Sequence, residues 1–230
     1  MDSSITIYLS ALALGAVHAL EVDHMVAVGS LTGLRPKISA AFVLGLRWGL
    51  GHAAVVLALG AVLFWLGLKI PASYQAWSEA GVGAALVVLG IWTYRRASSL
   101  HIHRPEDHGG HAHLHAHLRG RAQHEHHHED GRHRRHQHTS TFLGAVHGVA
   151  GTAPVIALIP VTMISQATAA MAYLGTFGLG AMLAMGCYSA TAAALVSRVA
   201  SSVRTLSVVT RAMGAITTAL GVYWILRSLP

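Results

Sequence analysis

Six long apolar stretches dominate this 230-residue chain, at roughly 5–32, 38–68, 74–95, 141–165, 168–197 and 206–228. A helix that crosses the hydrocarbon core of a bilayer needs about 20 mostly apolar residues, and every stretch reaches that length. With no water to bond, a backbone inside lipid has to satisfy its own polar groups, so such stretches become helices. The expected fold is an all-α integral membrane protein with six transmembrane helices. Composition agrees: 53% of residues are hydrophobic and 11% charged, against about 25% charged in ordinary soluble domains. The formal charge of +7 then reads as membrane topology, and no nucleic-acid partner is expected.

Between the third and fourth stretches lies a segment of another kind, 97–139, with fourteen of the eighteen histidines, six arginines and five acidic residues. Its composition predicts a polar, mobile loop. It divides the chain into 1–96, the loop, and 140–230. Arg35 and Lys37 follow the first stretch, Arg95 and Arg96 open the His-rich loop, and Arg198 and Arg204 join the last two stretches. Basic loops stay on the cytoplasmic side, so the His-rich loop is expected there and both termini outside. A multi-pass protein of a cell membrane, the bacterial inner membrane in particular, is implied. The N-terminal run lacks a basic leader and carries His18, Glu21, Asp23 and His24, so it reads as a retained span, not a signal peptide. Cys187 is the single cysteine, which excludes an intramolecular disulfide or a thiolate cluster from one chain. No phosphate-binding Gly-rich loop with Lys-Ser/Thr is present, so ATP hydrolysis is not expected.

The two halves are alike. Gly15-Ala16-Val17-His18 recurs as Gly144-Ala145-Val146-His147, Trp48-Gly-Leu-Gly51 as Phe177-Gly-Leu-Gly180, and Leu89-Gly90-Ile91-Trp92 as Leu220-Gly221-Val222-Tyr223, at offsets of 129, 129 and 131 residues. Two repeats of three spans each must run inverted to one another, an architecture common in secondary transporters, with substrate held near the midplane by broken helices.

An ionisable group in a span costs at least about 2.5–3.5 kcal/mol, so it marks a site by default. The first stretch holds four: His18, Glu21, Asp23 and His24. At about 100° per residue they cannot all face one ion from a regular helix. Either the helix unwinds near Glu21–His24 or only some of them touch the ion. His52 falls near the centre of the second stretch, and Arg47, deep in the same span, needs a carboxylate such as Glu21 or Asp23. In the second half His147 is the mate of His18, while Ala150, Thr152 and Ala153 replace the other three. Taken singly, His147 is as well explained by a hydrogen bond between helices. Met182, Met185 and Cys187 read better as packing than as a soft-metal path. The run Gly148 to Pro154 should interrupt the fourth span. Imidazole with carboxylate suits nickel, cobalt, zinc, copper(II) or iron(II). In the loop, His111, His113, His115, His117, His124, His126, His127 and His128 form a tract that binds divalent metals, as buffer, sensor or simple linker.

His18-Ala-Leu-Glu-Val-Asp23-His24 resembles the His-x4-Asp-His signature of the nickel/cobalt transporter superfamily, and Leu50-Gly51-His52-Ala-Ala-Val-Val56 resembles its second motif. His147-Gly-Val-Ala-Gly151 and Tyr173-Leu-Gly-Thr-Phe-Gly-Leu-Gly180 are similar to the small six-span, UreH-like members. The resemblance implies that His18, Asp23, His24 and His52 are needed for metal transport, with Glu21, Arg47 and His147 behind them or in coupling. It departs at Gly186-Cys-Tyr188-Ser-Ala-Thr-Ala192, where longer members carry acidic residues.

The function these features point to is a permease for a divalent transition metal. Nickel or cobalt is its substrate, no prosthetic group is expected, and its partners are the ion, membrane lipids and a metallochaperone or metalloenzyme maturation protein. Proton exchange at His18 or Asp23 would supply coupling. Closeness of the motif to uptake members favours uptake, with efflux as the alternative. A membrane metalloenzyme is the distant third reading, disfavoured because His-Glu-x-x-His is absent.

Overall fold

The computed structural model describes residues 3–32, 37–68, 73–97, 100–103, 113–116, 137–151, 157, 160–161, 163–199 and 202–229. In chain order these form α1 (Ser3–His18), α2 (Val22–Thr32), α3 (Ile38–Leu66), α4 (Tyr74–Ala97), β1 (Leu100–His103), β2 (His113–Ala116), α5 (Gln137–Ala150), α6 (Ala167–Val199) and α7 (Val203–Ser228). Four helices, α3, α4, α6 and α7, are each long and apolar enough to cross a membrane. Their bounds fall within a few residues of the predicted stretches. α1 and α2 reach that length only together, as one apolar run bent by 62° at a short break. The fourth predicted stretch is represented by α5, which begins at Gln137 and stops at Ala150. That end lies inside the Gly148 to Pro154 run, where glycine and the approach of a proline disfavour continued helix.

The helix surfaces are apolar outward. Trp65, Trp77, Val88, Leu195 and Ile216 are exposed, a pattern that suits lipid and not water. With lipid tails as apolar as leucine, association between helices rests on close backbone approach and polar contacts. Both are present. α3 lies along α6, α4 along α7, α1 on α6 and α5 on α3. Gly15 of α1 sits against the Phe177 carbonyl of α6, and Gly180 of α6 against the Leu12 carbonyl of α1. The same exchange joins α5 and α3: Gly144 meets the Trp48 carbonyl, and Gly51 the Thr141 carbonyl. Every member of the second set stands 129 residues from its counterpart in the first. On α4 and α7, Gly83 and Gly221 face each other's carbonyls, as do Gly90 and Gly214. A methyl group at any of these positions would collide with backbone.

Two apolar clusters form. Val28, Leu44, Trp48, Leu86 and Met185 belong to one; Val56, Tyr173, Leu174 and Phe177 belong to the other. Hydroxyls fasten α2 to the rest: Tyr188 donates to the Met25 carbonyl at 2.9 Å, and Ser30 and Thr217 share a hydrogen bond of 2.5 Å.

The spanning part of the fold is helical, as expected, and a short ribbon adds to it inside the His-rich segment, where β1 and β2 pair antiparallel, Leu100 opposite Ala116, His101 opposite His115, Ile102 opposite Leu114 and His103 opposite His113. Leu-His-Ile-His and His-Leu-His-Ala alternate with the period of a strand, and the register pairs histidine with histidine and apolar residue with apolar residue. His113 and His115 stand in β2; His111, His117, His124, His126, His127 and His128 lie outside the described residues.

Candidate metal centre

The chain has four histidines outside the loop, and the fold brings all four together. His18 ends α1, His24 lies in the first turn of α2, His52 is in mid α3, and His147 is in the last turn of α5. All are buried, as is Asp23. His24 is central: its ring centroid is 4.6 Å from that of His18, 5.0 Å from His52 and 4.4 Å from His147. The group is held between the apolar clusters, with His18 stacked on Phe177 and His147 beside Trp48, each at 5.7 Å.

The break makes this possible. After His18 the chain turns tightly, Leu20 N–H donating to the Val17 carbonyl and Glu21 N–H to the His18 carbonyl, both at 3.0 Å. No glycine or proline stands at residues 19–21; a hydrogen bond from His18 Nδ1 to Glu21 Oε1, 3.0 Å long, braces the turn instead. The break therefore lies at Ala19–Glu21, just before the stretch expected to unwind. It rotates His24 toward His18 and turns Asp23 toward His147.

The hydrogen bonds set the tautomers. With both carboxylates ionised, His18 Nδ1–H donates to Glu21, and His24 Nδ1–H donates to Asp23 Oδ1 at 3.1 Å. His147 Nε2–H donates to Asp23 Oδ2 at 3.1 Å. His18 Nε2 and His24 Nε2 are thereby left as lone pairs, buried and without a hydrogen-bond partner, and the two nitrogens of His52, one an N–H and one a lone pair in the neutral ring, are also buried without a partner. A buried polar atom with no partner costs about 1–3 kcal/mol, so three such rings at one point are expensive unless something fills the space between them. His18, His24 and His52 each offer one ligand atom, all within 4.8 Å of one another. Metal–nitrogen bonds of about 2.0–2.1 Å set ligand nitrogens about 3–3.6 Å apart, so the three rings would draw inward to close on one ion. A metal-bound imidazole normally gives its other N–H to a carboxylate, which fixes ring and tautomer. Glu21 stands in that relation to His18, and Asp23 to His24. Asp23, Oδ1 to His24 and Oδ2 to His147, ties the two halves of the chain together. Asp23, His24 and His147 also form a second group of three ligand atoms within 4.8 Å.

With that geometry in view, the comparisons have a place. The chain is similar to a urease accessory protein. That relative, UreH of Bacillus sp. (strain TB-90), is 26% identical over 214 residues, which cover 92% of this chain and 86% of UreH. No family model matches the chain, and no solved structure matches it. The similarity to UreH runs across both halves of the chain and is not confined to one motif.

Other expected residues fall as follows. Arg47 is half-buried on α3. Met185 is buried against Gly45 and Met182 lies against Gly49, so these two pack helices together, whereas Cys187 is exposed. Tyr188 anchors the α2 backbone through its hydroxyl. One carboxylate escaped the sequence reading. Glu79, in the second turn of α4, is buried and accepts a 3.1 Å hydrogen bond from Gln75 Nε2. The signal was there, since Glu79 is the lone charge in the first twenty residues of α4.

Proposed function

We propose that this chain is a secondary permease that carries a divalent transition metal, nickel or cobalt, into the cell. The observation that carries the reading is the open lone pairs of His18 and His24 beside unpartnered His52, buried among lipid-facing helices. A soluble ion needs no such arrangement to bind a surface; an ion that must leave water inside a bilayer does. Imidazole ligands supported by carboxylates fit nickel and cobalt, and the absence of clustered thiolate argues against copper(I). Urease is a nickel enzyme, so similarity to a urease accessory protein favours nickel.

In this reading the chain has six spans, α1 with α2 as the broken first and α5 opening the fourth, in two inverted repeats of three. The exchanged glycine contacts support it, since α1 meets α6 through the same positions by which α5 meets α3. Residues 1–96 and 140–230 are the repeats. The His-rich loop is cytoplasmic, receiving imported metal and passing it to a metallochaperone or maturation protein. His18, His24 and His52 bind the ion, while Asp23 and Glu21 orient the rings and offset its charge. Rocking of the halves exposes the site to either side, and no bond of the substrate is made or broken, so no enzymatic step is involved.

Purified protein in proteoliposomes, with nickel, cobalt, zinc or manganese outside and an imposed pH gradient, tests the proposal. Nickel or cobalt should enter, and His18→Ala should stop it. Flux only in the opposite orientation would make this an exporter; no flux of any ion, or wild-type flux in His18→Ala, would overturn the reading.

A further inference from the structure

The two ligand groups share His24 and nothing else. His18, His24 and His52 all come from the first half of the chain. The other group joins Asp23 and His24 to His147, which α5 supplies from the second half. The two nitrogens of His24 face these groups separately: Nε2 is open beside His18 and His52, whereas Nδ1 is bonded to Asp23. A single imidazole ring therefore stands between two places where an ion can sit.

We propose that His147 is a metal ligand of a second station, Asp23–His24–His147, to which a divalent ion passes from the three-histidine station during transport. This rests on the transport reading above. The first station is neutral and built within one half, so it can hold the ion whatever the halves do. The second includes a carboxylate and spans the halves, so it exists only while α5 is seated against α2. Passage needs no net change in protonation. Each of His24 and His147 keeps one proton and carries it on the nitrogen turned away from the ion, and the lone pair so exposed replaces the present hydrogen bond to Asp23. Separation of the halves then removes His147 and dissolves the second station, which gives the ion a way out of a site otherwise too strong to leave.

A merely structural His147 would hold Asp23 by its N–H and do no more. Asparagine can donate that hydrogen bond but is a poor nickel ligand, while cysteine is a good ligand. Nickel flux is measured in proteoliposomes for the full-length chain carrying His147→Asn, His147→Cys or His52→Ala, each checked for monodispersity in detergent. Flux should fall at least about 10-fold in His147→Asn, the scale of a lost ligand or its support, and His147→Cys should recover a measurable part of it. Wild-type flux in His147→Asn, or equal loss in His147→Asn and His147→Cys, overturns the second station. Loss in His52→Ala with wild-type flux in His147→Asn would remove the second station alone; wild-type flux in His52→Ala would remove the first as well.

Discussion

The same substitution, glycine to alanine, should have opposite signs at two places in this bundle. At Gly15 an added methyl would overlap the Phe177 carbonyl, a backbone atom that cannot swing aside. α1 would have to move off α6 by about 1 Å to restore ordinary separation, and overpacking of this kind costs about 1–3 kcal/mol. At Gly175, in α6, nothing lies within 4 Å of the new methyl, so alanine there gains the helix-propensity difference of about 0.8–1.0 kcal/mol. The two variants should differ by roughly 2–4 kcal/mol, or about 4–16 °C in the unfolding midpoint for a chain of this size. Thermal unfolding in detergent reads this directly. Gly144→Ala should match Gly15→Ala, because Gly144 meets the Trp48 carbonyl in the same way. Transport gives a second reading. His18 is one helical turn from Gly15, and a displacement of about 1 Å at a ligand can cost about 100-fold, so Gly15→Ala should lose most of its nickel flux and Gly175→Ala none. Indistinguishable midpoints for Gly15→Ala and Gly175→Ala would refute the close α1–α6 crossing on which the placement of His18 depends.

Replacing His52 by alanine should abolish nickel flux while leaving the midpoint unchanged or higher, since the ring has no hydrogen-bond partner to lose; flux and thermal unfolding on one preparation decide it. Asp23→Asn keeps shape but gives His24 and His147 a neutral partner, and nickel affinity should fall about 10- to 100-fold with an altered pH dependence of flux. Tyr188→Phe removes the hydroxyl bonded to the Met25 carbonyl and should destabilise by about 0.5–1.5 kcal/mol, with only a small change in flux. Deleting residues 101–138 should remove most of the nickel bound per chain and leave a tight phase in calorimetry. In the intact protein the loop metal should be released first as pH falls through about 6.5, the ordinary range in which free imidazole takes up a proton. Loss of the tight phase on deletion would make the loop part of the transport site.

Much of this arrangement was legible because apolar length and intramembrane charge obey strong rules. The bounds of α3, α4, α6 and α7 follow from hydropathy, and the crowding of His18, Glu21, Asp23 and His24 foretold a broken helix. Where the break fell was not legible: residues 19–21 hold neither glycine nor proline, and only the seating of α1 on α6 and the brace from His18 to Glu21 decide it. The bond between Asp23 and His147 spans 124 residues and depends on how the halves meet, so His147 taken alone could not be told from a packing residue. The ribbon at Leu100–His103 and His113–Ala116 was legible in its alternation, yet fourteen histidines in one segment drew the reading toward biased composition. Glu79 was passed over because it lies near the start of its span, where a charge invites less notice.

The break between α1 and α2 also has an electrostatic side. Each helix carries about half a negative charge at its carboxyl end and half a positive charge at its amino end. α1 finishes on His18 and α2 begins beside Asp23, so the carbonyl end of one half-helix and the amide end of the next lie within a few residues of each other in a medium that scarcely screens them. The carbonyl end favours an incoming cation next to His18, and the amide end favours the Asp23 carboxylate that neutralises it. An unbroken helix would have cancelled both poles along its length, so the break itself gives the apolar interior a standing preference for positive charge before any ion arrives.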